Sequence, residues 1–412
     1  MSLNEKTNII IVTVFYPPVI SVASNRMFAF AKYADKEKFN IHVITLATGQ
    51  INECDTYKQN IHVIRIKNPA FLKRAGFSRK TGFVLHKLKA LYNRLLNFFI
   101  KDEYYSWVRR ACVIAAGLMS GRDDNVLISS FPPVAAHKVP LALRKEGLPF
   151  VWIADMRDLM CGNSFHPFYM EKWLCRMQTI ILEHADVILS VSSPIIEKLK
   201  KCSPGIKIYE IRNGYDFIPG SSVSYNNIFT ITYTGSFYGK YKPDVFFHAL
   251  SNLIRDGSLQ DVRVRFIGVK NVFFIPAGLR KYVQLKGKIS TNEAVEEMKK
   301  ADALLLVLPE NCYKGVYTGK LFEYLACMKP IIALVDKEDV AADLIRSCNA
   351  GFIAGSGNVN EAESAILDAW KLWKERKTLE YNTELISKHH RKEQVGRLQK
   401  IILELLNNSD EE

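Results

Sequence analysis

Between Tyr313 and Ala333 the chain reads YKGVYTGKLFEYLACMKPIIA, in which glycines and a lysine stand directly before an apolar run of helical spacing. If KLFEYLACM is a helix, Gly319 and Lys320 lie at its first turn, where free amides and the macrodipole favour an anion by about 0.3–1 kcal/mol. Lys320 adds a full charge at the same place, and Glu323, three positions on, shares its helix face. A carboxylate there repels phosphate but accepts hydrogen bonds from two ribose hydroxyls, a division of labour that suits a nucleoside diphosphate. The same residues also fit a solvated lysine–glutamate pair on a helix that leads into a core.

Three other stretches have comparable chemistry. In GSFYGKYKPD, Gly235 and Gly239 allow close backbone approach while Lys240 and Lys242 supply charge, the combination a phosphate-bearing ligand needs. An ordinary turn with solvated lysines reads the same way. Gly268, in the nearby GVK, is a further strand-end glycine. In VWIADMRDLM, Asp155, Arg157 and Asp158 follow an apolar strand directly, so they could orient acceptor hydroxyls or serve as a base. A structural Arg–Asp pair capping the next segment fits those residues too. Arg26, in SVASNRMFAFAKY, begins the helix after the first strand and could touch acceptor or phosphate.

The elements that must position these residues are short β-branched runs separated by helical patterns, the signature of parallel α/β sheets covered on both faces. The first half offers NIIIVTVF, NIHVITL, NIHVIRI, NVLISSF, FVWIADM, DVILSVS and KIYEIR; the second offers FTITYTG, VRVRFIG, YVQLKG, DALLLVL and PIIALV, with GFIAG after them. Each half reads as its own doubly wound sheet, and a length of 412 residues supports two cores. NGYDFIPGSSVSYNN lacks periodicity and is rich in turn formers, which sets the expected division at residues 1–213, a linker at 214–227 and a second domain at 228–379. In such sheets ligands bind outside the carboxyl ends of the strands, where all of the residues above fall.

Composition narrows the partners. The formal charge is +14, and residues 67–110 contribute +9 of it from eleven basic residues against two acidic ones. In that segment Lys73, Arg74, Arg79, Lys80, Lys87, Lys89 and Arg94 surround Val84, Leu88, Leu91, Leu95 and Phe98 at helical spacing. Such a basic amphipathic helix lies on anionic membranes, each cation contributing about 1 kcal/mol, or else packs its apolar stripe on the first sheet. No RNA- or DNA-binding motif accompanies the charge, so nucleic acid is not the expected partner. Eight scattered cysteines without a C-x-x-C pair or zinc-ligand spacing read as reduced, mostly buried thiols of a cytosolic protein. The apolar run at the start is short and broken by Pro17-Pro18, unlike a signal peptide, and no run approaches the ~20 residues of a membrane span.

Taken in order, FYPP with a following arginine, ADMRDLM, ADVILSVSSPIIEKL, IRNGYD, YTGSFYGKYKPDVFFHAL, RFIG and above all GKLFEYLACMKPII resemble the retaining glycosyltransferases of family four, from about residue 8 to about residue 355. The resemblance implies the GT-B architecture: two facing Rossmann-like domains with the site in the cleft between them. It further implies a nucleotide-sugar co-substrate, a UDP- or GDP-sugar, and a glycan or lipid-linked acceptor in surface polysaccharide synthesis at the cytoplasmic membrane face. Glu323 would match the second glutamate of the family's E-x7-E motif and hold the donor ribose. Lys240 or Lys242 would meet the diphosphate, as would the amides of Val316, Tyr317, Thr318, Gly319 and Lys320. The Asp155–Asp158 segment would face the acceptor, and the closing segment from about residue 380 would return to the first domain. No cofactor or metal is required, since lysines and a helix end can neutralise the departing diphosphate. Two positions depart from the family: Gly315 stands where the first glutamate is expected, and the first βα loop has SVASNR in place of a glycine pair. A non-catalytic nucleotide-sugar binder and a GT-B UDP-sugar epimerase are the alternatives.

Overall fold

The computed structural model describes residues 6–47, 53–69, 88, 92, 103–163, 165–220, 226–237, 242–269, 273–309 and 313–409. The chain divides into two compact units, Met1–Ile211 with Val395–Glu412, and Arg212–Gln394.

The first unit is built on strands β1 (Thr7–Val12), β2 (Phe39–Leu46), β3 (Cys54–Lys58), β4 (Ile61–Ile66), β5 (Asn125–Phe131), β6 (Val151–Met156), β7 (Val187–Ser190) and β8 (Lys207–Glu210). They form one sheet in the order β3-β4-β2-β1-β5-β6-β7-β8. Helices α1 (Val22–Tyr33), α2 (Tyr105–Met119), α3 (Ala135–Lys145), α4 (Glu171–His184) and α5 (Ser193–Cys202) connect the strands. Every residue of β5 is buried, as a central strand covered on both faces requires. The sequence pattern misses β3, because CDTYK is mostly exposed and has no apolar face. It pairs antiparallel with β4 across Gln59 and Asn60, whose φ values of +54° and +57° suit a two-residue hairpin turn.

The second unit carries β9 (Phe229–Thr234), β10 (Val262–Ile267), β11 (Val283–Lys286), β12 (Ala303–Val307), β13 (Ile331–Val335) and β14 (Gly351–Gly355) in the order β11-β10-β9-β12-β13-β14. All pairings are parallel. Its helices are α6 (Asp244–Arg255), α7 (Thr291–Lys299), α8 (Gly319–Cys327), α9 (Val340–Ser347), α10 (Val359–Lys374) and α11 (Thr383–Ser387). The last helix, α12 (Arg391–Ser409), begins in this unit and continues in the first, where Val395, Leu398 and Ile402 are buried in the core with Ile41 and Val43. The unit boundaries therefore differ from the expected ones. Tyr215 is 1% exposed in the second core and its backbone bridges His390, so the segment after Arg212 belongs to the second unit and the chain returns at Val395.

The expectation of reduced cysteines is corrected at one pair. Cys161, in the loop after β6, is disulfide-bonded to Cys175 in α4, with Cα atoms 4.5 Å apart. Fourteen residues separate them in sequence, and only the fold of that loop onto α4 brings them together. Cys112, Cys327 and Cys348 are buried free thiols, whereas Cys202 is exposed.

Candidate active site

In the second unit the strand order reverses between β9 and β12, which is where a doubly wound sheet opens a crevice at its carboxyl edge. Gly235 follows β9, Gly268 follows β10, and α8 starts after the loop that leaves β12. Gly235 has φ +105°, and a β-carbon there would come within 3.3 Å of Lys320 Nζ. Gly268, at φ +83°, would bring a β-carbon to 3.5 Å from the Gly235 backbone. These two glycines thus let two strand ends and the Lys320 side chain share one small space. Thr318 occupies the N-cap of α8 without a capping hydrogen bond, and its buried Oγ1 has no partner. The first-turn amides are consequently left without side-chain capping, as an anion site at a helix start requires.

Lys320 does not pair with Glu323. Its ammonium donates to the Tyr233 hydroxyl at 2.6 Å and lies 3.9 Å from the centre of that ring. Desolvation lowers its pKa to about 7, with Glu323 opposing the shift. Burial likewise raises the Glu323 carboxyl above its ordinary range, against the pull of Arg391 and Lys320. Both residues are half-buried, and desolvation disfavours the charged form of each. An anion beside the ammonium and hydroxyl donors beside the carboxylate would favour the charged form of each.

α8 is fixed on its other faces. Leu321, Phe322, Tyr324 and Leu325 are buried, and the Tyr324 hydroxyl accepts from the Thr234 amide at 3.0 Å, tying the helix to the end of β9. In the loop before α8, Gly315 has φ +99° and donates its amide to Asp339 Oδ1 at 2.8 Å. Asp339 also caps α9 through Val340, and burial raises its pKa. The glycine at 315 therefore fits a backbone shape that a residue with a side chain adopts only under strain. Tyr317 is buried beneath Arg212, whose guanidinium lies 5.3 Å from its ring centre. Val316 and Gly319 are half-buried, Lys242 is exposed just before α6, and Lys240 lies outside the described residues.

In the first unit, Arg26 and Asp155 meet inside the sheet's helical layer with side chains 3% and 0% exposed. Arg26 Nε lies 3.1 and 3.0 Å from the two carboxylate oxygens, and Nη2 donates at 2.7 Å. Ser130 Oγ donates to the same carboxylate at 3.0 Å. This geometry gives Asp155 the work of holding Arg26 and the end of β5, and leaves no exposed surface from which it could take a substrate proton. Arg157 donates through Nε to the Phe131 carbonyl at 2.9 Å and lies 3.9 Å from Asp158, which is part-exposed. Beside them opens a cavity of about 380 Å³ lined by Phe15, Phe131, Pro133, His166, Tyr169 and Trp173, among others. It sits at the reversal between β1 and β5, the first sheet's own crevice.

The sequence pattern singled out Gly235, Gly268, Lys320 and Glu323; the structure brings the first three together, and Glu323 stands on the same helix as Lys320. It did not find Tyr233, Asp339 or Arg391; the only trace of Tyr233 was its place near the end of a strand that faces the site. Of the basic segment, Lys73, Arg74, Arg79, Lys80, Lys87, Lys89 and Arg94 lie outside the described residues, while Leu88 of the apolar stripe is 57% exposed. Among the described residues no helix is long and apolar enough to cross a membrane.

Residues 228–371 match the family described as Glycosyl transferases group 1. No curated protein matches the chain by sequence. Among solved structures, a sucrose-phosphate synthase from Thermosynechococcus elongatus is similar at 14% identity and TM-score 0.72, covering 98% of this chain and 100% of that one. A trehalose-6-phosphate protein from E. coli, bound with UDP-2-fluoro glucose, aligns at 12% identity and TM-score 0.65 over 96% of this chain and 99% of that one. A lipopolysaccharide outer core galactosyltransferase aligns at 13% identity and TM-score 0.58, covering 96% and 99% of the two chains. At these identities the likeness is one of fold.

Proposed function

We propose that the chain, whose residues 228–371 match the group 1 glycosyl transferases and whose fold is GT-B, is a glycosyltransferase that moves a sugar, with retention, from a UDP- or GDP-sugar to a glycan or lipid-linked acceptor in surface polysaccharide synthesis. The carrying observation is the convergence of Gly235, Gly268 and Lys320 at the strand-order reversal of the second sheet, with Glu323 one turn further along the helix that carries Lys320. Lys320 and the uncapped start of α8 receive the diphosphate, and Glu323 accepts the ribose hydroxyls. As the bond to the anomeric carbon breaks, negative charge grows on the departing diphosphate, and a cation and amides already in place stabilise it. Metal is not required for this, because the same charge is met by Lys320 and the helix start. That the similar E. coli protein is bound with UDP-2-fluoro glucose supports a UDP-linked donor.

The acceptor's sugar ring is assigned to the 380 Å³ aromatic cavity of the first unit, beside Arg157 and Asp158. Peripheral attachment at the inner face of the cell membrane rests on the +9 segment and on the exposure of Leu88. Gly315 supports a second reading, a nucleotide-sugar binder without transfer, since no side chain is available at that position to contact the donor sugar.

A thermal-shift series with nucleoside diphosphates and their sugars tests the donor assignment. A saturating diphosphate at 100 times its Kd stabilises by about 2.7 kcal/mol, and both Lys320→Ala and Glu323→Ala reduce that gain. Absence of any shift across uridine, guanosine, adenosine and thymidine diphosphates refutes it. Transfer to membrane glycolipid, or hydrolysis of the donor, removes the non-catalytic reading.

A further inference from the structure

Cys161, Glu171 and Cys175 have no part in the donor or acceptor chemistry above, yet they form a cluster whose composition exceeds what a cross-link needs. One ligand atom from each lies within 4.8 Å of the others, and all three residues are half-buried, open enough for an ion to enter. Glu171 opens α4 and stands one turn before Cys175, so the two share a helix face. Its Oε1 lies 3.4 Å from Cys175 Sγ and accepts the Gly162 amide at 2.6 Å. Gly162, at φ +74°, turns the backbone so that the loop after β6 meets that carboxylate. A disulfide gains nothing from a carboxylate held against its sulfur, and a carboxylate beside a thiolate is repulsive. Two thiolates and a carboxylate are, in contrast, a ligand set for zinc, with a fourth position left for water.

We propose that Cys161, Cys175 and Glu171 form a site for a thiophilic divalent ion of the zinc class in the reduced protein, and that the disulfide is its oxidised counterpart. A dithiol reductant delivers two electrons, the S–S bond breaks, and two thiols form as the reductant becomes a cyclic disulfide. Both thiols then release their protons to water as the ion binds. With bonds of about 2.3 Å to a tetrahedral ion, the sulfurs sit roughly 3.7 Å apart, a separation that side-chain rotation can supply. Either cross-link closes the same span of chain, which carries His166, Tyr169 and Trp173 of the aromatic cavity wall. Reduction without metal frees that wall, and metal restores it. The site stands independently of the transferase reading.

The test uses full-length protein reduced with a dithiol, freed of reductant without oxygen, and titrated with Co²⁺. One equivalent should bind with thiolate-to-cobalt charge-transfer absorption, and Zn²⁺ should displace it. Cys161→Ser and Cys175→Ser should abolish the absorption, and Cys202→Ser, at an exposed thiol, should leave it intact. Glu171→Gln, which keeps both thiols and the side-chain shape, should weaken Co²⁺ binding about tenfold or more. The proposal is overturned if reduced wild-type protein shows no such absorption, if the absorption survives loss of both cysteines, or if Glu171→Gln binds as tightly as wild type.

Discussion

Replacing Asp155 by alanine separates a structural from a catalytic role for the first unit's charged residues. The carboxylate is fully buried and receives Arg26 at 2.7–3.1 Å and Ser130 at 3.0 Å. Its removal leaves a guanidinium that is 3% exposed without its counter-charge. Breaking one side of such a pair costs about 3–5 kcal/mol, because the remaining charge stays desolvated. For a unit of about 200 residues each kcal/mol lowers the midpoint by roughly 2–4 °C, so the first unit's transition should fall by about 6–20 °C. Trp107 and Trp152, both buried in that unit, make tryptophan fluorescence a suitable probe during thermal or urea unfolding. The double variant Arg26→Met with Asp155→Leu should recover most of the loss, since a buried ion pair replaced by apolar groups is often neutral or better. An Asp155→Ala variant that loses turnover while its transition moves by less than about 1 kcal/mol would refute this assignment and return Asp155 to the chemistry.

Three further outcomes follow from the proposed donor site. Lys320 titrates near pH 7 in the fold against 10.5 ordinarily, so between those values the unfolded chain holds a proton that the folded one has released. Its contribution to stability therefore rises with pH from about 7 to 10.5, while diphosphate binding, which takes up that proton, should weaken by about tenfold per pH unit above 7; calorimetric titration of wild type and Lys320→Met, in which the slope disappears, checks both. Gly235→Ala places a β-carbon at φ +105° and 3.3 Å from Lys320 Nζ, so it should cost about 1–3 kcal/mol in urea unfolding and weaken nucleotide binding together. Gly315→Glu restores the family's carboxylate but forces φ +99° on a residue with a side chain; a loss of about 1–3 kcal/mol without gain in turnover is expected, and an active, equally stable variant would show that the loop adapts.

The strands and the glycine–lysine loop before α8 were legible because their signals are local. All thirteen runs read from the sequence are strands; the central ones, β5, β9, β12 and β13, are buried throughout, as cover on both faces of a parallel strand demands, and the edge strands β8 and β11 keep enough β-branched and aliphatic residues to be read although they are less buried. β3 escaped because CDTYK is mostly exposed and lacks the aliphatic residues that Val283 and Leu285 supply to the equally exposed β11. Gly235, Gly268 and Lys320 could be read because a glycine after a strand and a lysine at a helix start are positions along the chain, and the doubly wound rule places such positions at one edge.

What the sequence alone determined, then, is nearly the whole set of strands and which residue types stand at their ends. Only the tertiary structure decided which side chains meet. Lys320 turns to Tyr233, 87 residues away, rather than to Glu323 on its own helix. Asp155 closes on Arg26 across 129 residues and becomes a buried pair, and Cys161 finds Cys175 through a loop with no recognisable spacing. The physical reason is the same in each case. Periodicity and propensity act over a few residues, whereas the partner that satisfies a buried charge or thiol is chosen by the crossovers that bring distant strand ends and helices together.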